Sequence, residues 1–150
     1  MKNRDVKIIL KHEDAMVPKY ATPRSSGCDV YNIEEVVLAP GEWQLVHTGI
    51  YLQLPEDVEV QVRPRSGMAL KQGITVLNAP GTIDSDYQGE CNVILMNHSE
   101  NMLRIVPRTR IAQFVFVENV IQAKFEIVES FDEQTERGDG GFGHSGEKVI

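Results

Sequence analysis

The sequence predicts an all-β fold, a jelly-roll β-barrel or sandwich with one short helix and a Gly-rich tail, and three observations support it. Apolar and polar residues alternate with the period of a strand in Val58-Glu59-Val60-Gln61-Val62-Arg63, and nearly so in Ile50-Tyr51-Leu52-Gln53-Leu54, so one face of each is buried. Turn-forming residues separate almost all the apolar runs. Only one short stretch reads as helix. Many short strands with frequent turns point to sandwiches, jelly rolls and barrels.

In chain order the candidate strands are Val6 to Leu10, Val36 to Leu38, Trp43 to His47, Ile50 to Leu54, Val58 to Arg63, Ile74 to Leu77, Cys91 to Met96, Leu103 to Val106, Ile111 to Val117 and Lys124 to Val128. Pro40-Gly41, Pro55 and Pro107 mark boundaries among them. The helix is Ser66 to Gln72, with Ser66 placed to cap its start and Gly73 to end it. After Val128 the pattern changes: 132–150 is polar and carries Gly138, Gly140, Gly141, Gly143 and Gly146. Such a segment builds no core of its own. The chain therefore divides into a β domain over 1–131 and a mobile tail over 132–150 that orders when something binds it.

A length of 150 residues fits one folded unit, and 41% hydrophobic with 25% charged residues fits a globular one. The net charge of −7 disfavours DNA and RNA as partners. No apolar run reaches the roughly 20 residues that span a bilayer, and Met1-Lys2-Asn3-Arg4-Asp5 leads into no signal-peptide core. These features predict a cytosolic protein with no membrane partner, in which Cys28 and Cys91 are free thiols and the Asn97-His98-Ser99 sequon goes unmodified. The arginines cluster at Arg63 and Arg65, at Arg108 and Arg110, and singly at Arg137. Local basic spots on an acidic protein suit a small anion.

Several segments carry chemistry. Asn78 to Glu90 reads as a β-hairpin whose backbone can read the edge of a base, with Tyr87 offering a ring to a sugar and Asp84 a general base for water; a plain surface hairpin with turn aspartates is the alternative. Arg63-Pro64-Arg65-Ser66-Gly67 brings two guanidinium groups, a hydroxyl and a helix start together as a phosphate site, or is a cap beside two solvated arginines. In Arg137-Gly138-Asp139-Gly140-Gly141-Phe142-Gly143-His144-Ser145-Gly146 the glycines allow close approach to an anion and Phe142 can cover a ring, or the segment is simply flexible. No GxxxxGK(S/T) loop or GxGxxG fingerprint is present, and the four histidines have no zinc spacing with cysteines. A metal would arrive with the phosphates, as magnesium does, and Asp29 is a candidate to hold its waters, or a turn aspartate.

Taken in order these segments resemble the five motifs of the trimeric dUTPase family, covering the chain from about Gly27 to Gly146. Ser26-Gly27-Cys28-Asp29-Val30 is similar to the first, Arg63 through Ala69 to the second, Asn78 through Glu90 to the third, Arg110-Ile111-Ala112-Gln113 to the fourth and Arg137 through Gly146 to the fifth. The resemblance implies hydrolysis of dUTP to dUMP and pyrophosphate, which keeps uracil out of DNA and supplies dUMP for thymidylate synthesis. It implies a jelly-roll homotrimer with sites at subunit interfaces. Residue by residue, it implies that Asn78 and the backbone of Gly81, Thr82 and Ile83 hold uracil, that Tyr87 packs on deoxyribose where a 2′-hydroxyl would clash, and that Asp84 deprotonates the water attacking the α-phosphorus. Arg65, Ser66, Gly67 and Gln113 then contact phosphates, Asp29 binds Mg2+ through water, Arg137 reaches the γ-phosphate, and Phe142 closes over the base with Gly141, Gly143 and Ser145 beside it. Ser26 stands where the first motif usually has Ala, and His144 where the fifth usually has a hydroxyl residue.

Two other readings compete. The dCTP deaminases resemble this fold and deaminate with a glutamate in the strand after the hairpin, at a place aligned with Ile94 here; an apolar residue cannot move that proton. A nucleotide-sensing binding protein on the same fold would keep the pocket and use its occupancy to control a partner.

Overall fold

The computed structural model describes residues 4–118 and 120–140. Its strands are β1 (Lys7–Leu10), β2 (Lys19–Tyr20), β3 (Cys28–Tyr31), β4 (Val36–Leu38), β5 (Trp43–Val46), β6 (Ile50–Gln53), β7 (Val58–Arg63), β8 (Ile74–Val76), β9 (Gly81–Ile83), β10 (Val93–Asn97), β11 (Leu103–Ile105) and β12 (Arg110–Glu118), with one helix, α1 (Ser66–Gln72), between β7 and β8. They form a jelly-roll sandwich. All pairings are antiparallel: a five-stranded sheet in the order β2-β3-β12-β7-β9, a three-stranded sheet β5-β10-β8, and the pairs β1-β6 and β11-β4.

The strand period sets the burial. Val58, Val60 and Val62 of β7 point into the core while Glu59 and Gln61 lie between them, and β10 buries Val93, Leu95 and Asn97 in the same way. Phe114, Leu38, Ile50, Ile74, Leu95 and Ile111 are the largest wholly enclosed side chains, each contributing about 1.5–3 kcal/mol by leaving water.

The buried side chains of Asn32 and Asn97 find backbone partners. Asn32 donates Nδ2 to the carbonyls of Glu34 and Val106 and accepts from Thr109 N. Asn97 is fully buried, and its Nδ2 donates to the carbonyls of Leu38, Ala39 and Asn101. The sequon asparagine therefore has no room for a glycan.

The structure departs from the sequence reading in several places. β2, β3 and β9 form where no strand is expected, because two to four residues are too few to display a period. Lys124 to Val128, expected as a strand, pairs with no described residue: Phe125 is 91% and Ile127 101% exposed, and the described residues 120–140 include no strand or helix. Ser66 is the first residue of α1 rather than its cap. The cap is Arg65, extended at φ −93° and ψ 127° and making no side-chain capping bond, since a guanidinium has no acceptor to offer the first helical N–H groups. Gly73 ends the helix as expected, at φ 67° with its N–H on Ala69 O and Met68 O.

The segment Asn78 to Glu90 is more elaborate than a tight hairpin. β8 and β10 do pair across it, but within the connection β9 crosses to the other sheet and adds to the edge of β7, with Val62 opposite Gly81 and Val60 opposite Ile83. Both cysteines are free and buried, and burial pushes each thiol up to about 11. No helix among the described residues is long and apolar enough to cross a membrane.

Candidate active site

The central strand β12 assembles one half of the site. Gln113 lies opposite Asp29 on β3 and opposite Arg63 on β7, so two sequence segments far apart flank one glutamine. Its Nε2 donates to Pro64 O at 2.9 Å, and its Oε1 rests against Gly27, where any Cβ would overlap it. Glycine at position 27 is thus a space requirement.

Asp29 holds the arginines of this half. Its Oδ1 accepts from Arg65 Nε at 2.8 Å and its Oδ2 from Arg110 Nη1 at 3.4 Å, while Arg65 Nη1 donates to Arg110 O at 3.2 Å. The exposed Arg63, expected to share a phosphate site with Arg65, is instead turned along its own strand onto Gln61 Oε1. Ser66 and Gly67 are exposed in the first turn of α1, where backbone N–H groups lack helical partners. The result is an exposed patch of guanidinium, hydroxyl and amide donors, suited to phosphate oxygens.

The second half is the connection around β9. Leu45, Val62, Asn78, Gly81, Thr82, Ile83, Asp84, Tyr87, Glu90 and Ile94 line much of one depression of about 260 Å³. Because β9 is the edge strand of its sheet, one row of its backbone donors and acceptors faces away from the ladder and can read a planar edge. The Asn78 amide lies beside Gly81, whose added Cβ would stand 3.1 Å from Nδ2. Asp84 begins a turn closed by Tyr87 N donating to its carbonyl at 3.2 Å. Its carboxylate is exposed, and no hydrogen bond or ion pair engages it among the described residues. Tyr87 folds back over Gly89, where a Cβ would overlap its phenol, and donates its hydroxyl to Glu90 O at 3.1 Å.

Among the described residues no hydrogen bond or ion pair joins the group Asn78, Asp84 and Tyr87 to the group Asp29, Arg65 and Gln113. Arg137 is exposed and bonded within its own segment, donating from Nε to Gly140 O at 2.8 Å. Gly141, Phe142, Gly143 and Ser145, with His144, lie outside the described residues.

Three residues enter the site that sequence reasoning did not assign. Arg110 pairs with Asp29, and its place in the fourth motif was the available signal. Glu90 and His47 are the other two, with Glu90 Oε2 and His47 Nδ1 2.9 Å apart. Their 43-residue separation leaves no local trace.

Comparison with known proteins agrees with this geometry. A family model described as dUTPase matches residues 13–146. The chain is 53% identical over 132 residues to the deoxyuridine 5′-triphosphate nucleotidohydrolase of Chlamydia pneumoniae, covering 87% of this chain and 90% of that protein. It is 48% identical over 141 residues to the enzyme of the same name from Nautilia profundicola, covering 94% and 98%. Among solved structures, the Staphylococcus bacteriophage 80alpha dUTPase with dUPNHPP superposes with a TM-score of 0.89 at 26% identity, covering 97% of this chain and 100% of that one.

Proposed function

The chain belongs to the dUTPase family and hydrolyses dUTP to dUMP and pyrophosphate, and we propose that the two groups of side chains described above are halves of one active site completed between subunits. The observation that carries this reading is the depression where edge-strand backbone, one unengaged carboxylate and one phenol ring converge. Asn78 and the backbone of Gly81, Thr82 and Ile83 hold uracil, and the Tyr87 ring covers the face of deoxyribose. Asp84 takes the proton of a water as its oxygen attacks the α-phosphorus. The bond from that phosphorus to the α,β-bridging oxygen breaks, and the electron pair leaves on pyrophosphate. Arg65, Ser66, Gly67 and Gln113 fix the phosphates and share the developing charge. Phosphoryl transfer of this kind needs positioning and neutralisation more than a covalent nucleophile. Ile94 in the lining has no proton to move, which disfavours deamination.

Mg2+ fits this site as an ion carried by the substrate. Among the described residues no group of three or more His, Cys, Asp or Glu could hold a metal, and Asp29 already serves two arginines. A carboxylate has about four acceptor positions, so Asp29 retains capacity for metal-bound water. When bound with the substrate, magnesium would be held through water by Asp29 and would share the charge that develops on the leaving group.

Two surfaces support the homotrimer. Trp43, Leu45, Ile94, Met96, Thr75 and Leu77 fall on one face of the β5-β10-β8 sheet by register, with Trp43 60% exposed. Ile121, Phe125, Ile127 and Phe131 stand out from the chain after β12. Both are apolar surfaces that a neighbouring subunit would cover. We assign 1–131 to the catalytic domain and 132–150 to a tail that closes over a site, bringing Arg137 to the γ-phosphate and Phe142 to the base. Two buried free thiols fit a cytosolic location.

The test is pyrophosphate release from dUTP, dTTP, dCTP and UTP with Mg2+, in wild type and Asp84→Asn. Release from dUTP alone, lowered at least about 100-fold by the substitution, is expected. No release from dUTP in the wild type overturns the reading.

A further inference from the structure

Tyr87 is 46% exposed on a long connection, a poor foundation for a ring that must distinguish deoxyribose from ribose. Its phenol is held by one hydrogen bond, to Glu90 O, and by the face of Gly89. The ring can be no better placed than that carbonyl.

Glu90 is fixed by an unusual density of bonds for a residue ending a loop. Its Oε1 accepts from Gly49 N at 2.8 Å and Thr48 N at 3.2 Å, and its Oε2 meets His47 Nδ1 at 2.9 Å. Its backbone bridges to Tyr51, and Thr48 Oγ1 donates to the adjoining Cys91 O at 2.7 Å. The turn it grips is itself rigid: Ile33 N donates to His47 O, Lys11 N donates to Gly49 O, and Gly49 sits at φ 67° with Ala15 Cβ only 2.8 Å from where its own Cβ would stand.

We propose that Glu90 is a positioning residue for Tyr87, anchoring the sugar-reading ring to the turn between β5 and β6, and that His47 completes this hold. Glu90 never needs to touch the nucleotide. Its carboxylate gathers two amides and an imidazole, its carbonyl takes the phenol, and the ring's placement is thereby set from a part of the chain remote from the loop. A hydrogen bond to a charged group is the stronger kind, so removing the carboxylate releases the turn and the ring together. This inference rests on the dUTPase reading of the depression.

The experiment measures kcat/KM for dUTP and for UTP, with melting temperatures, in wild type, Glu90→Ala, Glu90→Gln and His47→Ala. Glu90→Ala is expected to lower the dUTP:UTP ratio roughly tenfold, mostly through KM for dUTP, with kcat within about threefold. Glu90→Gln keeps an acceptor for both amides and restores most of the ratio, and His47→Ala costs about threefold. A lowered melting temperature with an unchanged ratio in Glu90→Ala marks the contacts as structural only and overturns the proposal. If Glu90→Ala does not fold, a wild-type ratio in His47→Ala overturns it. A wild type that cleaves no dUTP defeats the underlying reading instead.

Discussion

Asp29 and Arg65, 36 positions apart, meet in a charged hydrogen bond of 2.8 Å, and the same guanidinium reaches on to the Arg110 carbonyl. The planar fork serves two acceptors at once, which an ammonium cannot reproduce. Arg65→Lys should lower kcat/KM for dUTP by about tenfold or more. Asp29→Asn should raise the Mg2+ concentration needed for half-maximal rate. Activity measured across a magnesium titration checks both, and an unmoved midpoint in Asp29→Asn contradicts the role given to its carboxylate.

Gly27→Ala places a methyl group where Gln113 Oε1 now rests. The glutamine must swing away and lose Pro64 O. Activity should fall about tenfold, as it should in Gln113→Ala, and the double variant should be no worse than either single one. Additive losses in that cycle would show that the two residues act separately.

The Glu90 hydrogen bond raises the His47 pKa above its ordinary 6.5. Burial pushes Glu90 up, but His47 and the Gly49 and Thr48 amides outweigh it, leaving the carboxyl below its ordinary 4.5. A raised histidine stabilises the fold fully below its unfolded pKa and loses that contribution as pH rises through the folded value. A depressed carboxylate stabilises above its unfolded pKa and loses that as pH falls. The pair therefore contributes most between about 4.5 and 6.5. The melting-temperature advantage of wild type over His47→Asn should shrink from pH 6 to pH 8; an advantage that is constant or grows contradicts the pairing.

Burial holds both thiols up at about 11. The native protein should react with a thiol reagent at pH 8 far more slowly than the same protein in denaturant, since thiolate and access are both lacking. Equal rates would place the cysteines at the surface.

Trp43 and Leu45 lie on the exposed apolar face of the β5-β10-β8 sheet. Trp43→Glu should give a monomer by light scattering, since a charge there prevents apolar burial. A trimer unchanged in mass would move the interface elsewhere.

Much of the fold was legible in the residues themselves. β7 shows its alternation over six positions and the run Ile50 to Leu54 nearly does, Gly73 marks a helix end, and the motifs from Gly27 to Gln113 name the chemistry before any geometry is known. These are local properties, encoded within a few neighbours of each residue. Tertiary structure alone decided which segments meet. β9 leaves its hairpin to dock on β7, Gln113 falls between Asp29 and Arg63, and His47 finds Glu90. It also left Lys124 to Val128 without a ladder among the described residues, and made Arg65 rather than Ser66 the helix cap. Periodicity reports which way a side chain points; long-range pairing, which depends on the whole core closing, determines what it points at.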